Sequence, residues 1–476
     1  MRVEATKQRS FQGVAVNSLP SDRDEPDPTY RSVLDWVWSF SARPRTPDEV
    51  IAQRAVKLDR MRALLRRLDD PQHAFPSLLV AGTKGKGSTV AMLAASLQAA
   101  GRRTGRYTSP HLINWRERTC LGGEPISTES VIQLAEPIRR AVAALPAALG
   151  EPTTFEVGTA FALLYFARAQ VDVAVLEVGV GGRYDATNVV EPLVSAITPI
   201  SYDHTPTLGS SLEAIAHHKA GVLRPGRPGV VAPQPEPARL VIEREARALG
   251  ARLVQVGRDW WWTAEPDGGD VARAPISIQT TRPGVSPLRV RVGLLGDHQR
   301  DNAAAAAAAL YELGQLRPEL AVSPAAIQAG LGQVDWPGRL QVLQRSPLLI
   351  VDGAHNAASA EVVRQAVQAS FRFRRLSLVI GLSAGKDARG VLGALVPWAD
   401  SLRLTRAQHE RAADPAELLQ LARELAPDRP IVVEPDLPTA LAAALDAAEA
   451  DDLVLVTGSL FLVGEALLWW RCRSPR

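Results

Sequence analysis

The sequence contains very little cysteine and very little lysine. Cys120 and Cys472 are its two cysteines among 476 residues, and a pair so far apart supplies neither a disulfide framework nor a metal cluster. Of the 54 basic residues only six are lysine, so arginine carries most of the positive charge. A lysine that remains therefore marks a position where a compact, titratable amine is needed. Lys84, Lys86 and Lys219 all lie in motifs that contain glycine or histidine.

The chain also lacks a strong net charge and a long apolar run. Its formal net charge is +3 and its basic residues are scattered, which gives no reason to expect a nucleic acid or a membrane surface as a partner. The most apolar stretch, residues 452–470, contains two glycines and a glutamate, so it predicts a strand, a turn and a helix instead of a membrane span. The first residues lack the apolar core of a signal peptide. We therefore expect a cytoplasmic protein.

The order of apolar and polar segments predicts the domain organisation. Residues 1–29 are polar and predict a disordered extension. From residue 30 to 335 short apolar strands alternate with helices, which is typical of a mainly parallel sheet covered by helices, while residues 258–293 predict antiparallel strands. The pattern restarts near WPGRL (336–340), so a second α/β domain is expected over 336–476.

The stretch AGTKGKGST (81–89) follows an apolar strand and opens a helix. Glycines in such a loop let backbone N–H groups converge on an anion at the positive end of the helix dipole. The stretch departs from the phosphate-loop pattern G-x-x-x-x-G-K-[ST] because Gly87 separates Lys86 from Ser88. Lys86 would neutralise phosphate charge and the Ser88 hydroxyl would ligate Mg²⁺, so we predict a nucleotide site. The alternative is a flexible turn.

Acidic residues and a histidine follow two further strands. Glu177 lies in the apolar start of LEVGVGGRYDATN, where an unpaired carboxylate is costly and requires a cationic partner; Asp185 in the same loop is a candidate substrate ligand. Asp203 and His204 follow the strand in ITPISYDHTPTLG. Because ligands bind at the carboxyl ends of parallel strands, we expect Ser88, Glu177 and His204 to lie at one edge of the sheet.

Lys219 lies on a predicted helix beside two histidines, in IAHHKAGVLRPG. A lysine amine that has lost its proton reacts with carbon dioxide to form an anionic carbamate, which arginine does not do. Its alternative role is that of a plain cationic phosphate ligand.

Short polar clusters end several elements of the second half, in GDHQRDNAAA, WPGRL and VDGAHNAAS. Asn302 is a candidate contact for an adenine or ribose edge. Arg339 is a candidate phosphate ligand whose reach would depend on a nearby domain hinge. Asp352 and His355 follow a strand and are candidates for orienting ribose or phosphate.

Together these stretches resemble the folylpolyglutamate synthase/dihydrofolate synthase family of the Mur ligase superfamily. The matching segments run in family order from about residue 30 to 470. They are AGTKGKGST, TSPHLINWRER, TTFEVGTA, LEVGVGGRYDATN, ITPISYDH, HKAGV, HQRDNAA, PGR, DGAHN, GKD and TGSLFLVGE. The resemblance implies an α/β fold with a P-loop-type ATPase domain of mainly parallel sheet and a smaller Rossmann-like C-terminal domain, the glutamate-ligase domain.

The resemblance also implies a reaction. ATP would phosphorylate a carboxylate of a folate or of dihydropteroate, and the amino group of L-glutamate would displace phosphate from the acyl phosphate. The implied cofactors are ATP and Mg²⁺ at two sites, with a monovalent cation as a further candidate. The implied partners are these small-molecule substrates, with the protein acting as a monomer.

The resemblance assigns roles residue by residue. The triphosphate cradle comprises Gly82, Thr83, Lys84, Gly85, Lys86, Gly87, Ser88 and Thr89. The implied metal ligands are Ser88, Glu177 and His204. Lys219 stands where the family carries an N6-carboxylysine, and it forms the catalytic set with Lys86 and His204. The other implied ATP contacts are Asn302, Arg339, Asp352 and His355. The pterin side comprises Ser109, Pro110, His111, Phe155 and Asp185.

Three positions depart from the family pattern. Lys84 stands where the family usually has asparagine, which adds a charge beside the phosphates. His218 replaces a glutamate before the special lysine; a cationic imidazole would lower the pKa of the Lys219 amine and so favour carbamylation. Tyr202 precedes Asp203 and is expected to pack into the wall of the site.

Two other functions stay open at this point. A cell-wall Mur-type amino-acid ligase predicts a separate N-terminal domain for a uridine nucleotide, and few residues precede the first β–loop–α unit. A catalytically weakened nucleotide-binding paralogue is motivated by Lys84 and His218. Phosphate release in the presence of ATP, a folate and glutamate separates these functions from the ligase.

Overall fold

A computed structural model describes residues 22, 25–41, 54–265 and 274–473 of the protein. The extension predicted for residues 1–29 lies for the most part outside them. For residues 25–29 the prediction of disorder is wrong, because the Asp27 side chain accepts hydrogen bonds from the amides of Thr29 and Tyr30 and starts a helix at Pro28. Glu25 is buried and pairs with Arg116.

The helices within the described residues are numbered in chain order. They are α1 Pro28–Ser39, α2 Arg54–Arg66, α3 Lys86–Ala99, α4 Thr128–Ala143, α5 Thr154–Arg168, α6 Thr205–Leu208, α7 Leu212–Ala220, α8 Glu236–Leu249, α9 Asp297–Leu316, α10 Pro324–Gln333, α11 Ala357–Ser370, α12 Ala388–Leu395, α13 Pro415–Leu425, α14 Leu437–Asp446 and α15 Leu460–Arg473.

The strands are numbered in the same way. They are β1 Ser77–Ala81, β2 Thr104–Tyr107, β3 Thr119–Leu121, β4 Glu124–Pro125, β5 Val173–Glu177, β6 Val194–Ile197, β7 Pro228–Val231, β8 Arg252–Gln255, β9 Trp260–Ala264, β10 Ile276–Thr280, β11 Leu288–Val290, β12 Gln341–Arg345, β13 Leu348–Val351, β14 Leu376–Ile380, β15 Ser401–Leu404, β16 Ile431–Val433 and β17 Leu453–Thr457.

Three sheets result from these strands. The large sheet has the order β4-β3-β2-β5-β1-β6-β7-β8, with β3 and β4 antiparallel at one edge and the other strands parallel. Strands β9–β11 form a small antiparallel sheet, as the pattern of residues 258–293 predicts. The third sheet has the order β12-β13-β17-β14-β15-β16, with β12 antiparallel and the rest parallel. The predicted α/β fold class is confirmed.

Helices cover both faces of the large sheet. In β1, Leu79 and Ala81 pack into the core formed with α1, α4 and α5, whereas Leu78 and Val80 point to the opposite face, toward α3 and α9. This alternation is the period of two that a strand imposes on its side chains. The alanine run of α9, residues 303–309, is entirely buried, because side chains this small let the helix lie close to the sheet.

The strand order places the candidate segments side by side. Strands β5, β1 and β6 are parallel neighbours, and Val80 lies opposite both Glu177 and Ala196. The loops that follow these three strands therefore meet at the carboxyl edge of the sheet, as predicted. The third sheet begins at Gln341. The domain boundary between residues 335 and 336 stays a prediction.

Candidate active site

The predicted phosphate loop, residues 82–89, connects β1 to α3, and hydrogen bonds to the segment after β6 hold its shape. The amides of Thr83 and Lys84 donate to the carbonyl of Pro199 at 3.0 and 3.3 Å. Gly85 has a φ of 84° at the N-cap of α3, a conformation that glycine adopts without strain. Beyond Gly85, the first amides of α3 have no intrahelical acceptor, so they are directed at any anion above the loop.

Glu177 ends β5 beside this loop. The Lys86 Nζ lies 3.9 Å from Glu177 Oε1, and the amide of Ser109 donates to Oε2 at 3.1 Å. Burial raises the pKa of the Glu177 carboxyl, while Lys86 and the Ser109 amide act in the opposite direction. The predicted cationic partner of this carboxylate is therefore present, and it is Lys86.

Asp203 and His204 follow β6 on the other side of the loop. The Lys84 Nζ lies 3.2 Å from Asp203 Oδ2, which ties the additional lysine of the loop to the neighbouring segment. Burial lowers the pKa of Lys84 to about 8, although Asp203 partly offsets that shift. The side chain of His204 is 48% exposed. Tyr202 is 59% exposed, so the prediction that it packs into the wall is wrong.

Lys219 lies behind the phosphate loop. Its Nζ donates to the carbonyl of Gly82 at 2.6 Å, and the residue is 4% exposed. Burial is the main cause that lowers the pKa of Lys219 to about 7, and Lys86 lowers it further. The ring of His218 packs on Tyr184 at a centroid distance of 5.9 Å. The effect predicted for His218 on the Lys219 amine stays a prediction, because burial already accounts for the direction of the shift.

The residues predicted on the C-terminal side approach from the third sheet. Asp352 is buried after β13 and accepts hydrogen bonds from the amides of Leu340 and Ala354 at 2.9 and 2.8 Å. The Nδ1 of His355 lies 2.8 Å from the carbonyl of Gly353, and burial lowers the pKa of this imidazole to about 4. Burial raises the pKa of the Glu177 and Asp352 carboxyls, and the Arg339 guanidinium partly offsets that rise in both; all three residues line one cavity.

The residues predicted on the pterin side form a second wall. Phe155 packs on Tyr107 at a centroid distance of 6.0 Å. The Asp185 carboxylate accepts hydrogen bonds from the Val180 amide and from the amide and hydroxyl of Thr187. Asp185 therefore holds the loop after β5 in place as well as facing the site.

A cavity of about 600 Å³ brings most of the predicted residues together. The predicted residues that line it are Thr83, Lys84, Gly85, Lys86, Gly87, Ser88, Ser109, Pro110, Phe155, Glu177, Asp185, His204, Asn302, Arg339, Asp352 and His355. Further residues line it that the sequence analysis did not single out, among them Lys57, Arg118, His298, Gln299 and Arg411. Because lysine is scarce in this sequence, Lys57 could have been singled out from the sequence on that ground.

Four predicted residues lie outside the lining of this cavity. Gly82 and Lys219 lie behind the loop, where the Lys219 Nζ donates a hydrogen bond to the Gly82 carbonyl. Thr89 lies in the first turn of α3 and is fully buried. His111 is wedged between Arg118, whose Nε donates to its Nδ1 at 2.9 Å, and Asp22, whose Oδ2 lies 3.5 Å from its Nε2. Both ring nitrogens of His111 are thus engaged by protein groups.

The site is rich in oxygen ligands and in cations. Within the described residues, no three side chains among histidine, cysteine, aspartate and glutamate are grouped so that they could hold a metal ion. Mg²⁺ is usually held by one or two carboxylates together with substrate phosphates and waters. Glu177 with the Ser88 hydroxyl fits that requirement, since both line the cavity beside the phosphate loop.

Comparison with known proteins identifies the family. The Mur ligase middle domain matches residues 80–310, and the Mur ligase glutamate ligase domain matches residues 338–460. The dihydrofolate synthase/folylpolyglutamate synthase of Bacillus subtilis is 34% identical over 414 residues, which cover 86% of this chain and 93% of that protein. The chain belongs to the folylpolyglutamate synthase/dihydrofolate synthase family.

Other members of the folylpolyglutamate synthase/dihydrofolate synthase family support this assignment. A probable bifunctional folylpolyglutamate synthase/dihydropteroate synthase of Halobacterium salinarum is 38% identical over 408 residues; these cover 86% of this chain but 48% of that protein, so the chain spans about half of it. Folylpolyglutamate synthase of Mycobacterium tuberculosis complexed with ADP has a TM-score of 0.82 at 33% identity, covering 94% of this chain and 100% of that chain. The Yersinia pestis bifunctional enzyme complexed with AMPPNP and Mn ion has a TM-score of 0.76 at 32% identity, covering 92% and 97%.

Family membership confirms the resemblance that the motifs carry. None of the described helices combines the length and the apolar character that crossing a lipid bilayer requires. The roles of individual residues stay predictions, which the geometry above now makes specific.

Proposed function

We propose that this member of the folylpolyglutamate synthase/dihydrofolate synthase family is an ATP-dependent ligase that adds L-glutamate to a folate, with dihydropteroate as a second acceptor. The observation that carries the proposal is the convergence in one cavity of the phosphate loop, Glu177, Arg339 and the turn from Asp352 to His355. The ADP and AMPPNP complexes of the two relatives support nucleotide use, and the Mn ion supports a divalent metal.

The proposed chemistry has two steps at one carboxylate. The acceptor carboxylate takes the terminal phosphoryl group of ATP, which gives an acyl phosphate and ADP. The amino group of L-glutamate then attacks the acyl carbon; the amine loses a proton, phosphate leaves, and an amide forms. Lys86 and Arg339 offset the negative charge that accumulates on the phosphoryl oxygens, and the walls of the cavity hold the reactants within reach.

The metal would be held by residues at the carboxyl edge of the large sheet. We propose Ser88 and Glu177 for one Mg²⁺, and Glu177 and His204 for a second, with a monovalent cation as a further candidate. When bound, Mg²⁺ neutralises phosphate charge and orients the acceptor carboxylate. Burial lowers the pKa of His204, so its imidazole is neutral at pH 7 and has a lone pair for a ligand.

Lys219 is proposed as the modified residue. An amine with a pKa near 7 is largely unprotonated at pH 8, and the unprotonated form is the one that reacts with CO₂. A carbamate keeps one N–H, which can still donate to the Gly82 carbonyl. The negatively charged carboxylate of this carbamate would then lie behind the loop that carries Lys84 and Lys86.

The remaining assignments follow from the same site. Phe155, Asp185, Ser109 and Pro110 are proposed for the pterin side, and Asn302, Asp352 and His355 for ATP. We propose that residues 30–335 form the ATP- and pterin-binding domain and residues 336–476 the glutamate-ligase domain. A cytoplasmic monomer is proposed as the working state.

The proposed activity is tested by measuring phosphate release and amide formation together. Purified protein is given ATP, Mg²⁺, L-glutamate and either tetrahydrofolate or dihydropteroate. We expect one phosphate per amide with tetrahydrofolate, and no phosphate when the acceptor or glutamate is left out. Absence of release with every pterin acceptor rules out the ligase and favours the weakened paralogue. Activity with a uridine-nucleotide sugar acceptor instead favours the cell-wall ligase.

Lys84 is expected to bind nucleotide and to be dispensable for chemistry. Replacing Lys84 with asparagine removes a cation from the cavity and frees Asp203, which is paired with it at 3.2 Å. We expect the KM for ATP to rise about fivefold, because a charge-assisted contact to phosphate is lost, while kcat changes by less than about twofold. Steady-state kinetics at several Mg²⁺ concentrations measure both quantities. Unchanged ATP and Mg²⁺ dependence would show that Lys84 serves only to pair Asp203.

A further inference from the structure

Trp336 packs against both the phosphate loop and a buried arginine. A methyl group added at Gly87 would lie 2.7 Å from Cζ2 of Trp336, so the indole packs directly on the first turn of α3. The Arg106 guanidinium carbon lies over the Trp336 ring, 5.1 Å from its centroid. We call this arrangement the Gly87–Trp336–Arg106 stack.

The stack explains why position 87 is glycine. Gly87 lies inside α3 and its φ is not positive, so its backbone would accept any residue. Alanine is the better helix former at such a position by about 1 kcal/mol. The close approach of Trp336 is therefore the physical reason for glycine here, and it accounts for the residue that interrupts the usual phosphate-loop pattern.

Arg106 is buried with little compensation from carboxylates; it partly offsets the burial that raises the pKa of the Asp335 carboxyl, next to Trp336. It lies on β2 and is 8% exposed, and no carboxylate of the described residues lies within salt-bridge distance of its guanidinium. Its Nη2 contacts Cys120 Sγ at 3.0 Å, while its Nε is buried without a hydrogen-bond partner in the described part of the chain. Burying a cation is costly unless it is compensated, and the face of an indole provides compensation.

The stack lies next to the active-site cavity. Arg339 follows Trp336 by three residues, and it lines the active-site cavity. A smaller cavity of about 40 Å³ is lined by Gly87, Arg106, Trp336 and Arg339 together with Glu177. The indole thus joins the phosphate loop to the segment that enters the third sheet.

We infer that Trp336 is a positioning residue: packed against both Gly87 and Arg106, it fixes the distance between the phosphate loop and Arg339. This inference rests on the proposed function for its effect on turnover, but the contact itself does not depend on which acceptor is used. Displacing Trp336 moves Arg339 relative to Lys86, and small misplacements of groups that neutralise transferring phosphate are costly in rate.

A double-mutant cycle tests the inference. Gly87→Ala and Trp336→Leu are each expected to lower kcat about tenfold, because each displaces the same segment. In the Trp336→Leu background the added methyl has room, so Gly87→Ala is expected to change kcat by less than about twofold. Trp336→Phe keeps an aromatic face over Arg106 and is expected to retain activity within about threefold of the wild type. The KM for the folate should stay within about twofold in all variants.

The control is Gly393→Ala on α12, where an added methyl meets nothing within 4 Å. It is expected to leave kcat unchanged. Each variant is also titrated with ADP, where the same coupling between positions 87 and 336 is expected in the Kd, so the contact is tested even if the wild type turns over no acceptor. Multiplicative losses in the double variant, in both kcat and the Kd for ADP, would overturn the inference.

Discussion

Glu177→Gln is expected to lower kcat by about 10³-fold, the upper end of the loss seen when one preorganised electrostatic partner is removed from a site. Glutamine has nearly the same shape, but its amide is a poor ligand for Mg²⁺ and does not balance the charge of Lys86, which lies 3.9 Å away. The KM for the folate is expected to change far less than kcat, because the role proposed for Glu177 is at the transferring phosphoryl group. Steady-state kinetics with saturating Mg²⁺ measure both constants.

The same substitution is expected to leave the fold at least as stable as that of the wild type. Burial raises the pKa of the Glu177 carboxyl, which means that the folded protein disfavours its ionised form. A neutral amide removes that cost at pH 7, so the melting temperature should be unchanged or higher. Glu213→Gln, at an exposed position on α7, is the matched control and should change neither quantity. A loss of activity accompanied by a clearly lower melting temperature would assign Glu177 to the fold instead.

The segments at the carboxyl edge of the large sheet could be predicted from the sequence. Each of them follows an apolar run that reads as a buried strand, and parallel strands direct their carboxyl ends to one edge. Lys86, Glu177 and His204 come from three different strand ends, and the structure places them around one cavity. The scarcity of lysine pointed in the same direction, since Lys57, Lys84 and Lys86 line the cavity and Lys219 lies directly behind it.

Contacts between distant segments could not be predicted in this way. The pairing of Lys84 with Asp203 joins residues 119 positions apart, and the packing of Trp336 on Gly87 joins α3 to the loop between α10 and β12. Periodicity reports which face of an element is buried, but it does not report what lies against that face. The prediction for Tyr202 was wrong for this reason. An aromatic side chain was expected to pack into the wall of the site, but the turn after β6 leaves it exposed.

The alanine run of α9 shows a related limit. Helix propensity alone predicts a helix there, and the helix is present. The reason for so many alanines is tertiary, because residues 303–309 are all buried between the sheet and neighbouring helices. Helix propensity thus predicted the helix correctly, whereas the close packing that requires alanine at these positions could be recognised only from the structure.

The cost of burying Lys219 is expected to appear in the stability of the protein. Its folded pKa is about 7, well below the ordinary value of 10.5, so the folded protein binds its proton less tightly than the unfolded chain does. That cost is complete below pH 7 and declines as the pH rises from 7 to 10.5. Lys219→Met should therefore melt at a higher temperature than wild type at pH 6 in CO₂-free buffer, with a difference that shrinks toward pH 10. An equal difference at both pH values would contradict the lowered pKa.

The activity of the same variant should move in the opposite direction. Lys219→Met and Lys219→Ala are expected to lose about 100-fold in kcat, the loss typical of a group that supports metal ligands, and Lys219→Arg should not recover it because a guanidinium forms no carbamate. Acetate or formate should partly restore the activity of Lys219→Ala by supplying a carboxylate in the vacated space, whereas chloride at the same ionic strength should not.

The wild-type protein held at pH 6 without CO₂ should lose activity and regain it when bicarbonate is added at pH 8. If bicarbonate has no effect and carboxylates rescue nothing, Lys219 acts as a cation, through its hydrogen bond to the Gly82 carbonyl at 2.6 Å and its charge behind the phosphate loop.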